Sequence, residues 1–286
     1  MKIMVYEARP DERADLEKQA ALHGVELSVT DAVPTLENAS LAAGCIGVSI
    51  LGQGCIDAAL LDAYHALGIR YLSTRTIGYD HIDLDHARSI GLRVCSASYA
   101  PNGVADFTVM MILMCLRHYK QALWRGQVND FSLPGLQGRE MKDLTIGIIG
   151  TGRIGAQVAR NLSGFGCRIL AYDLRRNPAV EPQVTYVDFD TLLAQSDVIT
   201  LHMPLLDSNR HIINRESIAK MRDGVVIVNC SRGELADIEA LIEGIETGKI
   251  GALGMDTVEG DEGIIHADHR VDILPNRNWF YLHQFR

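Results

Sequence analysis

Basic charge is in short supply: 27 Lys and Arg stand against 36 Asp and Glu in 286 residues, a formal net charge of −9 at pH 7. Nucleic-acid surfaces are built from clustered Lys and Arg, so this balance excludes a polyanion partner. Paired cysteines are lacking too. Cys45, Cys55, Cys95, Cys115, Cys167 and Cys230 are spread singly with no C-x-x-C motif. They read as small buried hydrophobes of a reducing cytosol rather than a disulfide framework. No apolar run approaches the ~20 residues of a membrane span. The start MKIMVYEARPDERAD turns charged directly after a first apolar run, unlike a signal peptide. A cytoplasmic, soluble protein is expected. Internal repeats and low-complexity segments are absent as well.

What is present is enough apolar material for about two domains, with 47% hydrophobic and 22% charged residues. From residue 1 to about 98, short apolar runs (KIMVYEA, ELSVT, CIGVSIL, RYLST, LRVCS) alternate with amphipathic stretches, the pattern of a parallel sheet with crossover helices. Residues 102 to 125 then read as one long helix started by Pro101. It is apolar nearly all round, so burial on several sides or at a subunit interface is expected, with Met110, Met111 and Met114 as packing residues.

The stretch LTIGIIGTGRIGAQVARNLSGFGCRILAYD, residues 144 to 173, is written as strand, glycine turn, helix, strand and terminal acid. A bare G-x-G-x-x-G is weak, but Gly150, Gly152 and Gly155 follow an apolar run and open a segment with helical spacing. Gly150 permits the tight turn, Gly152 admits a pyrophosphate to the backbone, and Gly155 lets helix and strand pack closely. Asp173 stands where a carboxylate accepts from an adenosine ribose and repels a 2′-phosphate, which favours NAD over NADP. Arg175 and Arg176 blur that preference, since either could attract a phosphate.

In a doubly wound sheet the ligand lies beyond the carboxyl ends of the strands. Those ends are polar here: His202, Met203 and Pro204 after DVITL, Ser231, Arg232 and Gly233 after GVVIVNC, and Asp256 after IGALGM. In the first half, RYLST runs into Arg75, Thr76, Ile77, Gly78 and Tyr79. Any one of them is an ordinary loop residue; together they point to a site.

The set GTGRIG with Asp173, LHMP at 201 to 204, NCSRGELAD at 229 to 237, GMDTVEGDEG at 254 to 263 and TRTIGYDHID at 74 to 83 resembles the D-isomer-specific 2-hydroxyacid dehydrogenases, in their D-lactate dehydrogenase branch. The resemblance spans essentially the whole chain. It implies NAD, hydride transfer and reversible conversion of a 2-keto acid to the (R)-2-hydroxy acid. The pair pyruvate and D-lactate comes first, with 2-hydroxyglutarate or another 2-hydroxy acid as the alternative. An NADH-sensing, corepressor-like interaction protein is the rival of another class. The implied catalytic residue is Arg232, whose fork can hold a carboxylate and polarise a keto oxygen. Substrate would also meet Thr76, Ile77, Gly78 and Tyr99. The cofactor would lie along Gly150, Gly152, Arg153, Ile154, Gly155, Asp173, His202, Met203, Pro204, Asn209, Cys230, Ser231 and Asp256. No metal is implied; His266 and His269 with Asp261 or Asp268 read as a solvated loop.

Two departures from the family pattern stand out. The acidic partner of the catalytic histidine falls on Asp261, with Glu262 adjacent, where relatives carry Glu. The Pro-His segment that supplies that histidine does not occur before Arg286, and His283 precedes its expected place, so the chain reads as C-terminally truncated. General acid catalysis of ~10² to 10⁴-fold is then expected to be missing. The expected fold is α/β in two lobes, a flavodoxin-like parallel sheet (1–98, substrate) and an NAD-binding Rossmann doubly wound sheet (99–286). The reaction is expected between them, without the C-terminal return segment, and a homodimer is expected through the long apolar helix.

Overall fold

The computed structural model describes residues 1 to 260. The chain divides into two compact units, one from Met1 to Tyr99 and the other from Ala100 onward. In the first, five short strands, β1 (Lys2–Val5), β2 (Glu26–Val29), β3 (Gly47–Ile50), β4 (Tyr71–Thr74) and β5 (Arg93–Ser96), pair in parallel in the order β2-β1-β3-β4-β5. That is the flavodoxin-like order. The helices between them are α1 (Arg13–His23), α2 (Ala58–Ala66) and α3 (Leu84–Ser89). Asp57 and Asp83 cap α2 and α3 by accepting from the backbone N–H of Leu60 and His86. The core gathers Met4, Tyr6, Val48, Ile50, Leu61, Tyr64 and Leu72 from sheet and helices.

The second unit begins with α4 (Asn102–Leu116) and α5 (Tyr119–Gln127). This corrects the expectation of one continuous helix over 102 to 125. His118 between them has φ 50, a left-handed conformation that ends one helix and re-aims the next. Burial is also narrower than expected. Ala105, Thr108, Met111, Ile112 and Cys115 face the core of this unit, while Phe107 and Met110 are exposed.

Six parallel strands follow, β6 (Thr145–Ile149), β7 (Arg168–Tyr172), β8 (Thr185–Tyr186), β9 (Val198–Leu201), β10 (Val225–Asn229) and β11 (Ile250–Met255), in the order β11-β10-β9-β6-β7-β8. This is the Rossmann order, with the chain reversing direction of travel between β6 and β9. Every residue of β6, β9 and β10 is buried, as a parallel sheet covered on both faces requires. One face packs on α4 and α6 (Arg153–Ser163) through Ile112, Ile146, Val158, Leu162 and Val228. The other packs on α7 (Phe189–Gln195), α8 (Arg215–Lys220) and α9 (Ile238–Glu246) through Leu193, Ile199, Ile218, Ile227 and Leu241.

The cysteines divide. Cys45, Cys115 and Cys230 are buried and burial pushes the thiols of the last two up, to about 12 and about 11. Cys55 and Cys95 are exposed, against the expectation that all are core residues, because a five-strand sheet of four-residue strands leaves its edge and loops in solvent. Among the described residues no helix is long and apolar enough to cross a membrane.

Candidate active site

Four neighbouring strands of the second sheet, β6, β9, β10 and β11, end on the same edge, and each runs directly into candidate residues. After β6 comes the glycine turn. Gly150 has φ 94, and a Cβ there would meet the carbonyl oxygen of His202 at 2.7 Å. A Cβ on Gly155 would overlap the carbonyl oxygen of Gly150. Gly152 differs: its φ is −63 and, among the described residues, nothing lies within 4 Å of the position its Cβ would take. It is the N-cap of α6 and offers no side-chain cap of its own, so the start of that helix presents backbone to whatever approaches the turn. Ile154 packs against the core beneath the turn. A closed turn over an open, uncapped helix start fits a dinucleotide pyrophosphate.

Asp173 follows β7 and is itself held: Oδ2 accepts from Thr151 N–H at 2.6 Å and Thr151 Oγ1 at 3.1 Å, and Oδ1 accepts from Arg175 N–H at 2.9 Å. Arg175 therefore meets the carboxylate through its backbone, and the Arg176 guanidinium lies over the Tyr186 ring, 5.5 Å from its centroid.

After β9, His202 N–H donates to the Ile149 carbonyl at 2.8 Å, which clamps the strand end onto the turn. Its Nε2 is 3.0 Å from Thr200 Oγ1, and its enclosed Nδ1 has no hydrogen-bond partner among the described residues. Burial pushes the imidazole down to about 3, so it is neutral at ordinary pH. Asn209 is spent on the loop itself, Nδ2 donating to Pro204 O at 2.8 Å and Oδ1 accepting from Leu206 N–H at 2.8 Å. Ser231 Oγ donates to Met203 O at 2.6 Å and ties the β10 turn to the β9 turn.

Arg232 is placed by Asn229, a fully buried side chain that sequence reasoning missed. Asn229 Nδ2 donates to Arg232 O at 2.7 Å and Oδ1 accepts from Ser231 N–H at 3.0 Å. Arg232 Nη1 donates to Ser231 O at 3.0 Å. A Cβ on Gly233 would overlap Val258 and the Glu259 nitrogen, so the segment after β11 lies against this turn. Asp256 N–H donates to Asn229 O at 2.9 Å. Glu259 accepts from Arg210 Nη1 at 3.0 Å and lies 2.8 Å from His211 Nε2.

In the first unit, the loop after β4 is pinned by its own hydroxyls: Thr74 Oγ1 and Thr76 Oγ1 are 2.6 Å apart, and Thr76 Oγ1 donates to Gly78 O at 2.7 Å. Arg75 lies beneath it, Nη2 donating to Tyr6 O at 2.9 Å, Glu7 O at 3.0 Å and Glu12 Oε1 at 3.0 Å. The buried Glu7 carboxylate accepts from the successive backbone amides of Leu51, Gly52 and Gln53. Tyr99, at the end of this unit, is exposed. Asp261, Glu262, His266, Asp268, His269 and His283 lie outside the described residues.

Residues 109–279 match the family model described as "D-isomer specific 2-hydroxyacid dehydrogenase, NAD binding domain". The chain belongs to the D-isomer-specific 2-hydroxyacid dehydrogenase family. It is 41% identical to an aromatic 2-oxoacid reductase of Clostridium sporogenes, over 96% of this chain and 83% of the reductase. It is 40% identical to the D-lactate dehydrogenase of Lactobacillus delbrueckii subsp. bulgaricus, over 96% of this chain and 84% of that enzyme. Among solved structures, the apo D-lactate dehydrogenase of Escherichia coli superposes with a TM-score of 0.82 at 39% identity, covering 91% of this chain and 83% of that one. The NAD-complexed D-isomer specific 2-hydroxyacid dehydrogenase from Lactobacillus delbrueckii ssp. bulgaricus gives 0.82 at 32%, covering 99% and 87%. The protein is thus an NAD-dependent dehydrogenase that interconverts a 2-keto acid and a 2-hydroxy acid.

Proposed function

We propose that the family chemistry is run here on pyruvate and D-lactate, with Arg232 as the residue that meets substrate. Bound NADH supplies the hydride for the keto carbon. Arg232 engages the substrate carboxylate and polarises the keto oxygen, concentrating positive charge where negative charge develops. The amides of Thr76, Ile77 and Gly78, with Tyr99, take the remaining substrate contacts. Gly150, Gly152, Arg153, Ile154 and Gly155 cradle the pyrophosphate, and Asp173 accepts from the adenosine ribose. His202, Met203, Pro204, Asn209, Cys230, Ser231 and Asp256 line the rest of the dinucleotide. Asp261 or the adjacent Glu262 takes the acidic-partner place that the family keeps beside its proton donor.

The observation that carries this reading is the common edge: the turns bearing Gly150, His202, Arg232 and Asp256 end four adjacent strands of one sheet. The test is NADH titration by fluorescence, followed by kcat/KM over pyruvate, phenylpyruvate and 2-oxoglutarate. Pyruvate is expected to rank first and Arg232→Lys to lose about 10² in kcat/KM with NADH affinity retained. No NADH binding, or an unaffected R232K, defeats the proposal. The 41% identity to an aromatic 2-oxoacid reductase favours a second reading, in which phenylpyruvate ranks first.

A homodimer in the cytoplasm completes the proposal. The exposed Met110 of α4 lines a groove of about 800 Å³ with Val109, Leu113 and Met114. Light scattering of the purified protein distinguishes a dimer from a monomer.

A further inference from the structure

The two-residue edge strand β8 does more than finish the sheet. Tyr186 Oη donates to Thr151 Oγ1 at 2.8 Å and accepts from Asn177 N–H at 2.9 Å. Thr151, 1% exposed, donates from its own hydroxyl to Asp173 Oδ2 at 3.1 Å and from its N–H to the same oxygen. Asn177 Nδ2 donates to Thr151 O at 2.8 Å and closes the ring of contacts. Each hydroxyl has a single proton, so the direction is set: Asn177 N–H to Tyr186, Tyr186 to Thr151, Thr151 to the carboxylate.

A carboxylate has about four acceptor sites. Among the described residues, two on Asp173 Oδ2 are taken by Thr151 and one on Oδ1 by Arg175 N–H, which leaves Oδ1 to accept one further donor. A ribose 2′-hydroxyl supplies such a donor. A 2′-phosphate brings negative charge against a carboxylate that cannot rotate away. Arg176, one of the two arginines that could neutralise such a phosphate, lies over the Tyr186 ring.

We infer that Tyr186 and Thr151 are positioning residues that set cofactor choice, holding Asp173 in the orientation that accepts a free ribose 2′-hydroxyl and withholding Arg176 from a 2′-phosphate. This rests on Asp173 being the ribose acceptor. Dissociation constants for NADH and NADPH, measured by fluorescence titration on the full chain, test it through their ratio. The ratio Kd(NADPH)/Kd(NADH) is expected to fall about fivefold to tenfold in Tyr186→Phe and in Thr151→Val, which each remove one hydroxyl. Tyr186→Ala, which also frees Arg176, is expected to lower it further. A merely structural role weakens both nucleotides in parallel, and an unchanged ratio in Y186F overturns the inference. Should T151V not fold, Y186F decides alone. Asp173→Ala separates the two levels: if it leaves the ratio intact, the ribose reading itself fails, whereas a collapse in D173A beside intact ratios in Y186F and T151V sinks only the present inference.

Discussion

The place a Cβ would take on Gly155 is filled by the carbonyl oxygen of Gly150. The first and last glycines of the turn therefore touch, backbone on backbone, and the contact sets how closely α6 approaches β6. Backbone does not yield as a flexible side chain does. Gly155→Ala is expected to cost about 1–3 kcal/mol or more in urea unfolding and to weaken NADH binding at least about tenfold. Unfolding curves and NADH affinities superposing on those of the parent chain would contradict the packing argument.

Gly152 gives the converse case. Its φ of −63 is open to any residue, and no described residue lies within 4 Å of its Cβ position. Gly152→Ala is expected to leave stability within about 0.5 kcal/mol. If that space belongs to the pyrophosphate, NADH affinity should still drop about tenfold or more, since an added methyl displaces the anion from the amides. The two alanine substitutions thus separate a glycine required by the fold from a glycine required by the ligand.

His202 gives stability a pH dependence of defined sign. Its folded pKa is about 3, against about 6.5 in an unfolded chain. Between these values the unfolded state binds the proton and the folded state does not, so stability falls as pH drops below about 6.5 and the loss is complete near the folded value. From pH 7 to pH 5 the effect is on the order of 2 kcal/mol, from about 1.4 kcal/mol for each unit below the unfolded pKa. Urea midpoints at the two pH values, compared between the parent chain and His202→Gln, are expected to show a weaker acid loss in the variant. Equal losses would show that the imidazole is not kept neutral.

Much of the architecture could be read from periodicity, because most of the parallel strands are short apolar runs and several crossover helices begin at a recognisable cap, Asp57, Asp83, Asp188 or Asp237. The break at His118 could not, since a left-handed residue other than glycine carries no compositional mark. The same holds for the side chains that place the site. Asn229, Thr151 and Tyr186 act through hydrogen bonds to residues 3, 22 and 35 positions away, respectively, and nothing in their own neighbourhoods announces those partners. One signal was available: a buried asparagine ending a run of Val and Ile must find partners for its amide, and the next turn is the nearest supply.

Arg75 shows the same principle in the first unit and yields a sharp expectation. It follows β4, yet its guanidinium reaches Ser49 of β3 at 3.2 Å, the carbonyls of Tyr6 and Glu7 beyond β1, and Glu12 at 3.0 Å, so one cation ties three adjacent strand ends. The Arg75 and Glu12 side chains are 16% and 18% exposed, which keeps solvent screening modest. Lysine retains the charge but not the planar fork, and its single ammonium cannot serve Ser49 and the carbonyl pair together. Arg75→Lys is expected to lose about 1–3 kcal/mol, and Arg75→Ala about 3 kcal/mol or more because Glu12 is left half-buried without its cation. If the proposed substrate contacts of Thr76 to Gly78 hold, R75K should also raise KM for the 2-keto acid while NADH affinity stays unchanged. A variant that unfolds at the parent's urea concentration and keeps its KM would show the guanidinium to be idle at this junction.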